Sequence, residues 1–585
     1  MKNDLPLVGP VLRTGLSSNF NRLADRLIRV KLRPARRAGS TLLACSVMAV
    51  ALAGAAEKPA ISAASLLART KVLASDEFEG RGPGTPGEEK TVNYLVSEFK
   101  QLGLEPGNPN GTYIQNSPLV GITSVPTLGF TVGGKPMPME NINDYVAFST
   151  RVTPHVAGQD SDVVFVGYGI VAPEYGWDDY KGVDVRGKTV VMLVNDPPVR
   201  GADGQLDPKI FGGNAMTYYG RWTYKYEIAA EKGAAACLII HETAPAAYPF
   251  GVVISSWTRE NFEIRSPDNN AGHVALSGWL TLDAAKKLIA AGGHNLAALK
   301  SAAVTREFRP VPLGAKASFT VENKLRHVDS RNVIGLLPGA DPKLRNEYVI
   351  YNAHWDHLGR DPKKHGDQIY NGAADNAAGV AVLLELAQAI KALPAAQRPK
   401  RSVLFLAVTA EEKGLLGSRY YAQNPLYPLT QTVAVINMDG ANQFGRTSDM
   451  EIIGHGASTI DDIGAAVAKA QGRDIRPDSH PERGSFYRSD HFEFAKVGVP
   501  AYYPKGGKIF IGQPADYGEK KINEYIAKDY HQPSDEVKPD WTFEGAAQDT
   551  EFLLQVGLRI ANGARWPEWK PGNEFKARRD AMLRK

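Results

Sequence analysis

The stretch EYVIYNAHWDHLG, residues 347–359, decides the fold. An apolar run ends there in His354 and Asp356, and RSVLFLAVTAEE at 401–412 and TVAVINMDG at 432–440 repeat that design. Helical patterns alternate with these runs, at about residues 377–391, 459–471 and 543–562. Near-continuous apolar strands that alternate with helices predict an α/β fold, with a mostly parallel central sheet covered by helices on both faces.

Side chains that bind metals follow these strands. In sheets of this kind, active sites form beyond the carboxyl ends of the strands. Imidazole and carboxylate suit zinc, and each catalytic zinc ion needs about three protein ligands and an open position. Five ligands therefore serve two zinc ions per chain if one carboxylate bridges the pair. The candidate ligands are His354, Asp375, Glu412, Asp439 and His531.

Two further acidic residues complement the candidate ligands. A zinc pair can polarise a carbonyl and deprotonate a shared water, and that water needs a general base. Glu411, beside Glu412, can supply the base. Asp356, two residues after His354, can accept the other ring N–H and fix the tautomer of the imidazole.

The region before the central strands has a different texture. Residues 135–312 contain short β-like runs at 162–171, 187–197 and 234–242, separated by Pro, Gly and Asn, and one helix is predicted at about 224–232. This contrast predicts a β-rich domain inserted into the α/β domain. Two helices are predicted before the insertion, at 62–75 and 86–102.

The beginning of the chain has the pattern of a signal peptide. Residues 1–37 carry nine Lys and Arg against two Asp, a net charge of +7, so the rest of the chain is near −2 and gives no charge argument for nucleic acid. The apolar stretch 41–56 is shorter than the roughly 20 residues of a membrane span. It contains the cleavage-like triplet Ala53-Gly54-Ala55. We expect a periplasmic or secreted protein with no stable membrane span after cleavage; a retained anchor is the alternative.

Composition excludes several other classes of protein. The 585 residues are 43% hydrophobic and 22% charged, a globular balance that is sufficient for two or three domains. Two cysteines and no CxxC exclude a disulfide framework and a zinc ribbon. Cys237 lies in the apolar run AAACLII and is expected in the core, and no GxSxG supports a serine nucleophile.

Seven motifs in order carry a resemblance to a known family. Residues 62–120 and 315–565 resemble the co-catalytic zinc exopeptidases, which include bacterial leucyl aminopeptidases and glutamate carboxypeptidase and have a phosphorylase/hydrolase-like fold. Residues 135–312 are similar to the protease-associated domain often inserted in these enzymes. The signal pattern predicts a leader at 1–56, and the resemblance implies a discontinuous catalytic domain at 57–134 and 313–585 with the insert at 135–312. The motifs are SDEFEGRGPGTPGEE, NAHWDHLG, IYNGAADNAAG, TAEEKGLLGS, NMDG, SDHFEFAKVGVPA and YHQPSDE.

The resemblance also implies a role for each matching residue. Asp375 would bridge two zinc ions, with His354 and Asp439 completing one site and Glu412 and His531 the other. Glu411 would be the general base, and Tyr530 would donate a hydrogen bond to the developing oxyanion. The peptide bond Asp375–Asn376 would be cis. His357 and His491 have no ligand position in the family pattern and are expected to support the ligands or line the pocket, while Ala374 and Ala378 replace an acidic residue and a serine that are not ligands.

The function implied is an exported dizinc exopeptidase that acts on peptides, with an aminopeptidase favoured. A carboxypeptidase for acidic C-terminal residues shares the same ligand set and stays open. A glutaminyl cyclase-like enzyme uses one zinc ion, and a receptor-like relative has lost catalysis, so the five ligands and Glu411 argue against both. The sequence does not determine the oligomeric state.

Overall fold

The computed structural model describes residues 61–584. The predicted leader at 1–56 lies outside the described residues. Within the described part the helices are α1 (Ala63–Leu73), α2 (Pro86–Gln101), α3 (Trp222–Glu231), α4 (Thr243–Ala246), α5 (Phe250–Trp257), α6 (Leu282–Ala291), α7 (Leu296–Ala303), α8 (Ala378–Lys391), α9 (Leu416–Gln423), α10 (Ile460–Ala470), α11 (His491–Lys496), α12 (Tyr517–Lys528), α13 (Glu544–Asn562) and α14 (Lys576–Leu583).

Most strands of the described residues join one large mixed sheet, and two small two-stranded ribbons (β6–β7 and β14–β15) stand apart from it. The strands are β1 (Glu105–Pro106), β2 (Ile114–Val132), β3 (Lys135–Pro138), β4 (Tyr145–Phe148), β5 (His155–Phe165), β6 (Val171–Ala172), β7 (Trp177–Asp178), β8 (Thr189–Leu193), β9 (Ala236–Ile240), β10 (Asn261–Ile264), β11 (Leu276–Leu280), β12 (Val311–Leu337), β13 (Tyr348–His354), β14 (Gly359–Arg360), β15 (Ile369–Tyr370), β16 (Ser402–Val408), β17 (Thr432–Asn437), β18 (Asp449–Ile453), β19 (Asp474–Pro477) and β20 (Ala501–Gly506).

The centre of the sheet is formed by the three apolar runs that the sequence singled out. β13 pairs in parallel with β16 on one side and with β17 on the other, and β17 pairs in parallel with β20. β12 and β18 flank this group with antiparallel pairings. The predicted α/β class with a mostly parallel central sheet is confirmed.

Both faces of the central sheet are covered, as continuous apolar strands require. All seven residues of β13 are buried. Val349 and Tyr351 point into a core that contains α8 and α13, whereas Tyr348 and Ile350 pack against α9 and α11 on the opposite face. Side chains alternate between the two faces of a strand, so a strand buried on both needs apolar residues at every position.

Helix α8 forms the centre of one of these cores. The helical stretch Ala373–Lys391 is long and apolar enough to cross a membrane, but 89% of it is buried inside the protein. Its apolar character on all sides is therefore accounted for by packing between the sheet and its neighbours.

Residues 145–313 continue the same sheet. β5, β8, β9 and β11 lie side by side in parallel, and β4 closes the edge antiparallel to β11. The long strands β2 and β12 pair with each other from Val132 to Ile114 and connect this part to the central strands. The free thiol of Cys237 is buried in β9, as expected for a core cysteine.

This part contains more helix than the sequence analysis assigned to it. One helix was predicted there, whereas α3 to α7 are present. α6 has clear signals at both ends, because the Thr281 hydroxyl accepts a hydrogen bond from the Ala284 N–H and Gly292 follows the last turn. α4 and α5 are short and lie beside prolines, so their periodic patterns are too brief to distinguish from strand or loop.

Candidate active site

The structure brings the five predicted ligands together at one edge of the sheet. His354 ends β13, Glu412 lies in a short turn after β16, and Asp439 follows β17 by two residues. Asp375 belongs to an irregular turn at the start of α8, and His531 follows α12. These residues are separated by up to 177 positions in the chain, and the parallel pairing of the strands is what places their ends side by side.

Asp375 lies at the centre of the group and faces a histidine with each oxygen. Its Oδ1 is 3.3 Å from Nε2 of His354, and its Oδ2 is 3.2 Å from Nε2 of His531. The same Nε2 of His354 is 3.8 Å from Asp439 Oδ1, and that of His531 is 3.1 Å from Glu412 Oε2. The five side chains thus form two groups of three that share Asp375.

The spacing and the donor types of both groups fit zinc. Donor atoms about 2.0–2.1 Å from a tetrahedral ion lie about 3.3–3.4 Å from one another. The four separations here run from 3.1 to 3.8 Å. Each group combines one imidazole with two carboxylates, which is a donor set that zinc accepts in catalytic sites.

His354 is oriented by a backbone group and not by the predicted carboxylate. Its Nδ1 lies 3.2 Å from the backbone carbonyl oxygen of Asp356, whereas the Asp356 Oδ1 is 3.8 Å away. The carboxylate instead accepts hydrogen bonds from the N–H groups of Glu411 and Glu412, at 3.0 and 3.4 Å. Asp356 is fully buried beneath that turn, whose backbone N–H groups need acceptors. The Asp356 carboxylate therefore fixes the turn, and the Asp356 backbone carbonyl fixes the imidazole of His354.

Glu411 occupies a partly buried position beside the ligands. Burial, together with the charges of Glu412 and Asp490 and against the opposing charge of His354, raises the pKa of the Glu411 carboxyl well above its usual value. The Glu411 carboxyl group is not among the paired donors, and a carboxyl group with a perturbed pKa in such a place is a candidate for acid–base chemistry.

Asp439 has a different electrostatic environment. Burial alone would raise the pKa of its carboxyl, but Lys505 and His354 outweigh this effect and hold the pKa well below its usual range. The Tyr503 hydroxyl donates to Asp439 Oδ2 at 3.0 Å. His491 lies against the Tyr503 ring, 4.5 Å between centroids, and is fully buried. Its expected place near the pocket is consistent with this position.

His357 has a closer connection to the ligands than the sequence analysis assigned to it. Its Nδ1 lies 2.6 Å from Glu412 Oε1, the oxygen of Glu412 that does not face His531. His357, Asp375 and Glu412 also have donor atoms within 4.8 Å of one another. The signal was present in the sequence, since the motif HWDH places a second imidazole three residues after His354.

Tyr530 lies at the open side of the group. Its ring stacks on the His531 imidazole with the centroids 3.9 Å apart, and 44% of the residue is exposed. The oxyanion role of its hydroxyl stays a prediction.

Arg81 supports two of the ligand loops from behind, and sequence reasoning assigned it no role. Its buried guanidinium donates to the backbone carbonyls of Trp355 at 2.9 Å, of Asn371 at 2.5 Å and of Gly372 at 2.8 Å. A further bond at 2.8 Å reaches the carbonyl of Leu73 at the end of α1. One side chain therefore ties the loop after His354 to the loop before Asp375.

Asp535 and Asn376 hold the turn that carries Asp375. The Asp535 carboxylate accepts hydrogen bonds from the N–H groups of Ala374 and Asp375, at 3.1 and 3.2 Å. The Asn376 side chain donates to the carbonyls of His354 and Met438 at 3.3 and 3.1 Å, joining three ligand loops. The Asp375–Asn376 peptide bond is cis, as the resemblance implied.

Comparison with known proteins agrees with this arrangement. The paired ligand groups define a candidate metal centre, and residues 332–554 match the model of peptidase family M28. The matched residues contain all five predicted ligands, so this part of the chain is similar to peptidase family M28.

Individual relatives match a limited part of the chain. Aminopeptidase NAALADL1 of Mus musculus is 37% identical over 131 residues, 22% of this chain and 16% of the relative. Aminopeptidase YwaD of Bacillus subtilis is 34% identical over 97 residues, 16% and 18% of the two chains. A solved aminopeptidase from Aneurinibacillus sp. strain AM-1 is 20% identical, with 86% of this chain and 95% of that chain covered and a TM-score of 0.43. The matched segment thus spans less than a fifth of either curated relative.

Proposed function

We propose that this protein is a dizinc exopeptidase, and specifically an aminopeptidase, that hydrolyses peptides by means of an activated water. The observation that carries the proposal is the pair of donor groups that share Asp375, with Glu411 beside them. His354 and Asp439 would hold one zinc ion, Glu412 and His531 the other, and Asp375 both. Preference for aminopeptidase activity is supported by the names of the two curated relatives.

The chemistry divides between the metals and the side chains. When bound, the zinc ions would polarise the scissile carbonyl and lower the pKa of a water. The Glu411 carboxylate takes the proton that the attacking water loses and delivers it to the leaving amine. The Tyr530 hydroxyl donates a hydrogen bond to the carbonyl oxygen as negative charge develops there. His357 holds Glu412 through the oxygen that faces away from His531.

A peptide panel tests the proposed reaction. Zinc-loaded protein is incubated with a peptide that has a free N-terminus, its N-acetylated form, a peptide that begins with Gln, and an N-blocked peptide that ends in Glu, and the products are identified by mass spectrometry. Release of the N-terminal residue from the free peptide alone supports an aminopeptidase. Release of C-terminal Glu supports the carboxypeptidase alternative, cyclisation of N-terminal Gln the cyclase alternative, and no turnover at all the receptor-like alternative.

We also propose that the protein is exported and that residues 135–312 are a protease-associated domain. Support for export is the basic and apolar pattern of residues 1–56, and support for the domain is its place between the two parts of the peptidase sequence. N-terminal sequencing of protein from the periplasm or medium should begin near Ala56. An intact stretch 41–56 in the membrane fraction would instead indicate an anchor.

A further inference from the structure

The turn Glu411–Lys413 is flanked on both sides by residues in the left-handed backbone region. Ala410 directly precedes the turn with φ +52°, and Leu415 directly precedes α9 with φ +61°. In this region the Cβ of an L-residue comes close to the following carbonyl oxygen, so residues other than glycine rarely adopt it. Such a conformation persists where the surrounding structure enforces it. The contacts around Ala410 and Leu415 therefore decide where the carboxylates of this turn lie.

Strand β10, which belongs to residues 135–312, contacts the turn at its beginning. Phe262 and Ile264 stand two positions apart in β10 and so share a face of the strand. Both pack against a small apolar cluster that contains the buried Ala410. The Lys413 ammonium lies 5.9 Å from the centre of the Phe262 ring. One aromatic side chain of β10 thus touches the residue before the turn and the last residue of the turn.

The segment that follows the turn also depends on residues 135–312. Leu415 is buried in the core whose other members come mostly from residues 128–321. Glu263, between the two apolar residues of β10, forms an ion pair with Arg419 on α9. Glu263 is buried, and a buried ion pair holds its partners firmly because the loss of one leaves the other uncompensated. Both ends of the turn are therefore fixed by contacts with the same region.

The polar contacts of the turn do not replace these contacts. The Asp356 carboxylate accepts hydrogen bonds from the N–H of Glu411 at 3.0 Å and from that of Glu412 at 3.4 Å. The second distance is longer than an ordinary N–H···O bond. Asp356 therefore restrains the Glu411 end of the turn more tightly than the Glu412 end, and the contact of Phe262 with Lys413 lies next to the latter.

We propose that strand β10 positions the Glu411 and Glu412 carboxylates for the reaction, through the contacts of Phe262 and Glu263 with the turn and with α9. The inference rests on the proposed peptidase function and gives residues 135–312 a part in it. Phe262 and Glu263 are positioning residues, because they act through the turn and do not belong to the paired donors. A displacement of about 1 Å in a catalytic constellation can cost about 100-fold in rate, so a contact outside the site can control turnover.

Removal of the Phe262 ring tests the positioning role. In Phe262→Ala we expect kcat to fall about 10- to 100-fold with KM nearly unchanged, measured at saturating zinc with the peptide that the panel identifies as substrate. Competition with a zinc-binding dye should show an affinity about 10-fold lower for one ion, because Glu412 moves with the turn. Phe262→Leu keeps an apolar contact and should retain most of both quantities.

Ala410→Gly provides a rescue that a general loss of stability would not allow. Glycine adopts positive φ without a Cβ, so the turn needs less support from β10. In the double variant Phe262→Ala with Ala410→Gly, kcat and zinc affinity should recover toward the values of the original protein. The matched control is Tyr175→Ala, at a partly buried aromatic residue of the same region that packs on Phe211 at 4.9 Å. It should leave kcat and both zinc affinities unchanged.

Separate outcomes overturn the positioning role and the proposed function. Unchanged kcat and zinc affinity in folded Phe262→Ala, a change in KM alone, or no recovery in the double variant overturns the role of β10. If Phe262→Ala does not fold, Glu263→Gln decides, since it removes the ion pair with Arg419 and should show smaller losses of the same kind; unchanged values there overturn the role. Absence of turnover for all peptides with zinc present overturns the peptidase function, and the zinc affinities of the variants then report on β10 alone.

Discussion

Glu411 and Glu412 are adjacent in the chain but differ in what their carboxylates contact. Both oxygens of Glu412 face imidazoles, whereas the carboxylate of Glu411 has a raised pKa and is not among the paired donors. We expect Glu411→Gln to keep the two proposed zinc ions, change KM little and lower kcat by about 10²–10⁴-fold, because it removes the proposed base and keeps the shape of the side chain. Metal analysis and steady-state kinetics measure the two effects.

Glu412→Gln is the matched variant for this prediction. It should weaken one zinc ion and lose activity that added zinc partly restores. Loss of metal in Glu411→Gln with retention of both ions in Glu412→Gln would reverse the two assignments. Unchanged turnover in both variants would place the active site elsewhere.

The ligands could be predicted from the sequence, but their supports could not. His354 and Asp439 stand at or just after the ends of strands, where the chain order alone indicates a shared edge. The acceptor for the His354 ring N–H could not be predicted, since Asp356 offers both a carbonyl and a carboxylate and only the fold of the turn after β16 decides between them. The supporting role of Arg81 could not be predicted for a similar reason, because the backbone carbonyls that it contacts carry no sequence signature.

At the scale of elements, the segment Asp76–Arg81 holds the loops of the candidate site in place. The buried Arg81 contacts the carbonyls of Trp355, Asn371 and Gly372. We expect Arg81→Gln to lower the free energy of unfolding by about 3–5 kcal/mol, the range for breaking a buried charged network. It should also weaken zinc binding, because the loops on either side of the sheet edge lose their common donor.

Arg81→Lys is the informative companion variant. Lysine keeps the charge and has three donors, so it can restore part of the stability and of the zinc affinity. Denaturant unfolding and competition with a zinc-binding dye measure the two quantities. A stable Arg81→Gln protein with unaltered zinc affinity would contradict the assigned positioning role.

Prediction of elements from the sequence was most successful where the strands are continuous and long helices follow. The helix predicted at 377–391 is α8, and that at 543–562 is α13, each within one residue at the start. Residues 135–312 were predicted less completely because the helices there are short. The long pairing of β2 with β12 could not be predicted, since two strands nearly two hundred residues apart carry no local signal of their register.

At the scale of the whole molecule, Glu574 joins the C-terminal segment to residues 135–312, because its carboxylate accepts a hydrogen bond from the Tyr218 N–H. Burial raises the pKa of its carboxyl to about 8 from 4.5. Between these values the unfolded chain has lost the proton and the folded protein retains it, so the unfolding free energy falls as the pH rises from about 4.5 to 8. Glu574→Gln imitates the neutral carboxyl and should remove this contribution.

The measurement is denaturant unfolding of both proteins at several pH values. The free energies of unfolding of Glu574→Gln and of the original protein should be nearly equal at pH 5. The variant should become the more stable of the two as the pH rises toward 9. Glu568→Gln, at an exposed glutamate, should show no such trend. A difference that is constant with pH would mean that Glu574 titrates alike in both states.

Metal binding should stabilise the fold of the whole molecule as well as support its chemistry. The five predicted ligands come from separate loops, and three of them are carboxylates that repel one another without a cation. A ligand that binds only the folded state at 1,000 times its Kd adds about 4 kcal/mol. Chelation should therefore lower Tm by about 5–10 °C, and zinc should restore it. Dialysed active protein should hold about two zinc ions per chain, and His155→Gln, at an exposed histidine that begins β5, should keep both. Full activity with one ion would refute the bridging role of Asp375, and an unchanged Tm after proven metal removal would show that the ligand loops are held by protein contacts alone.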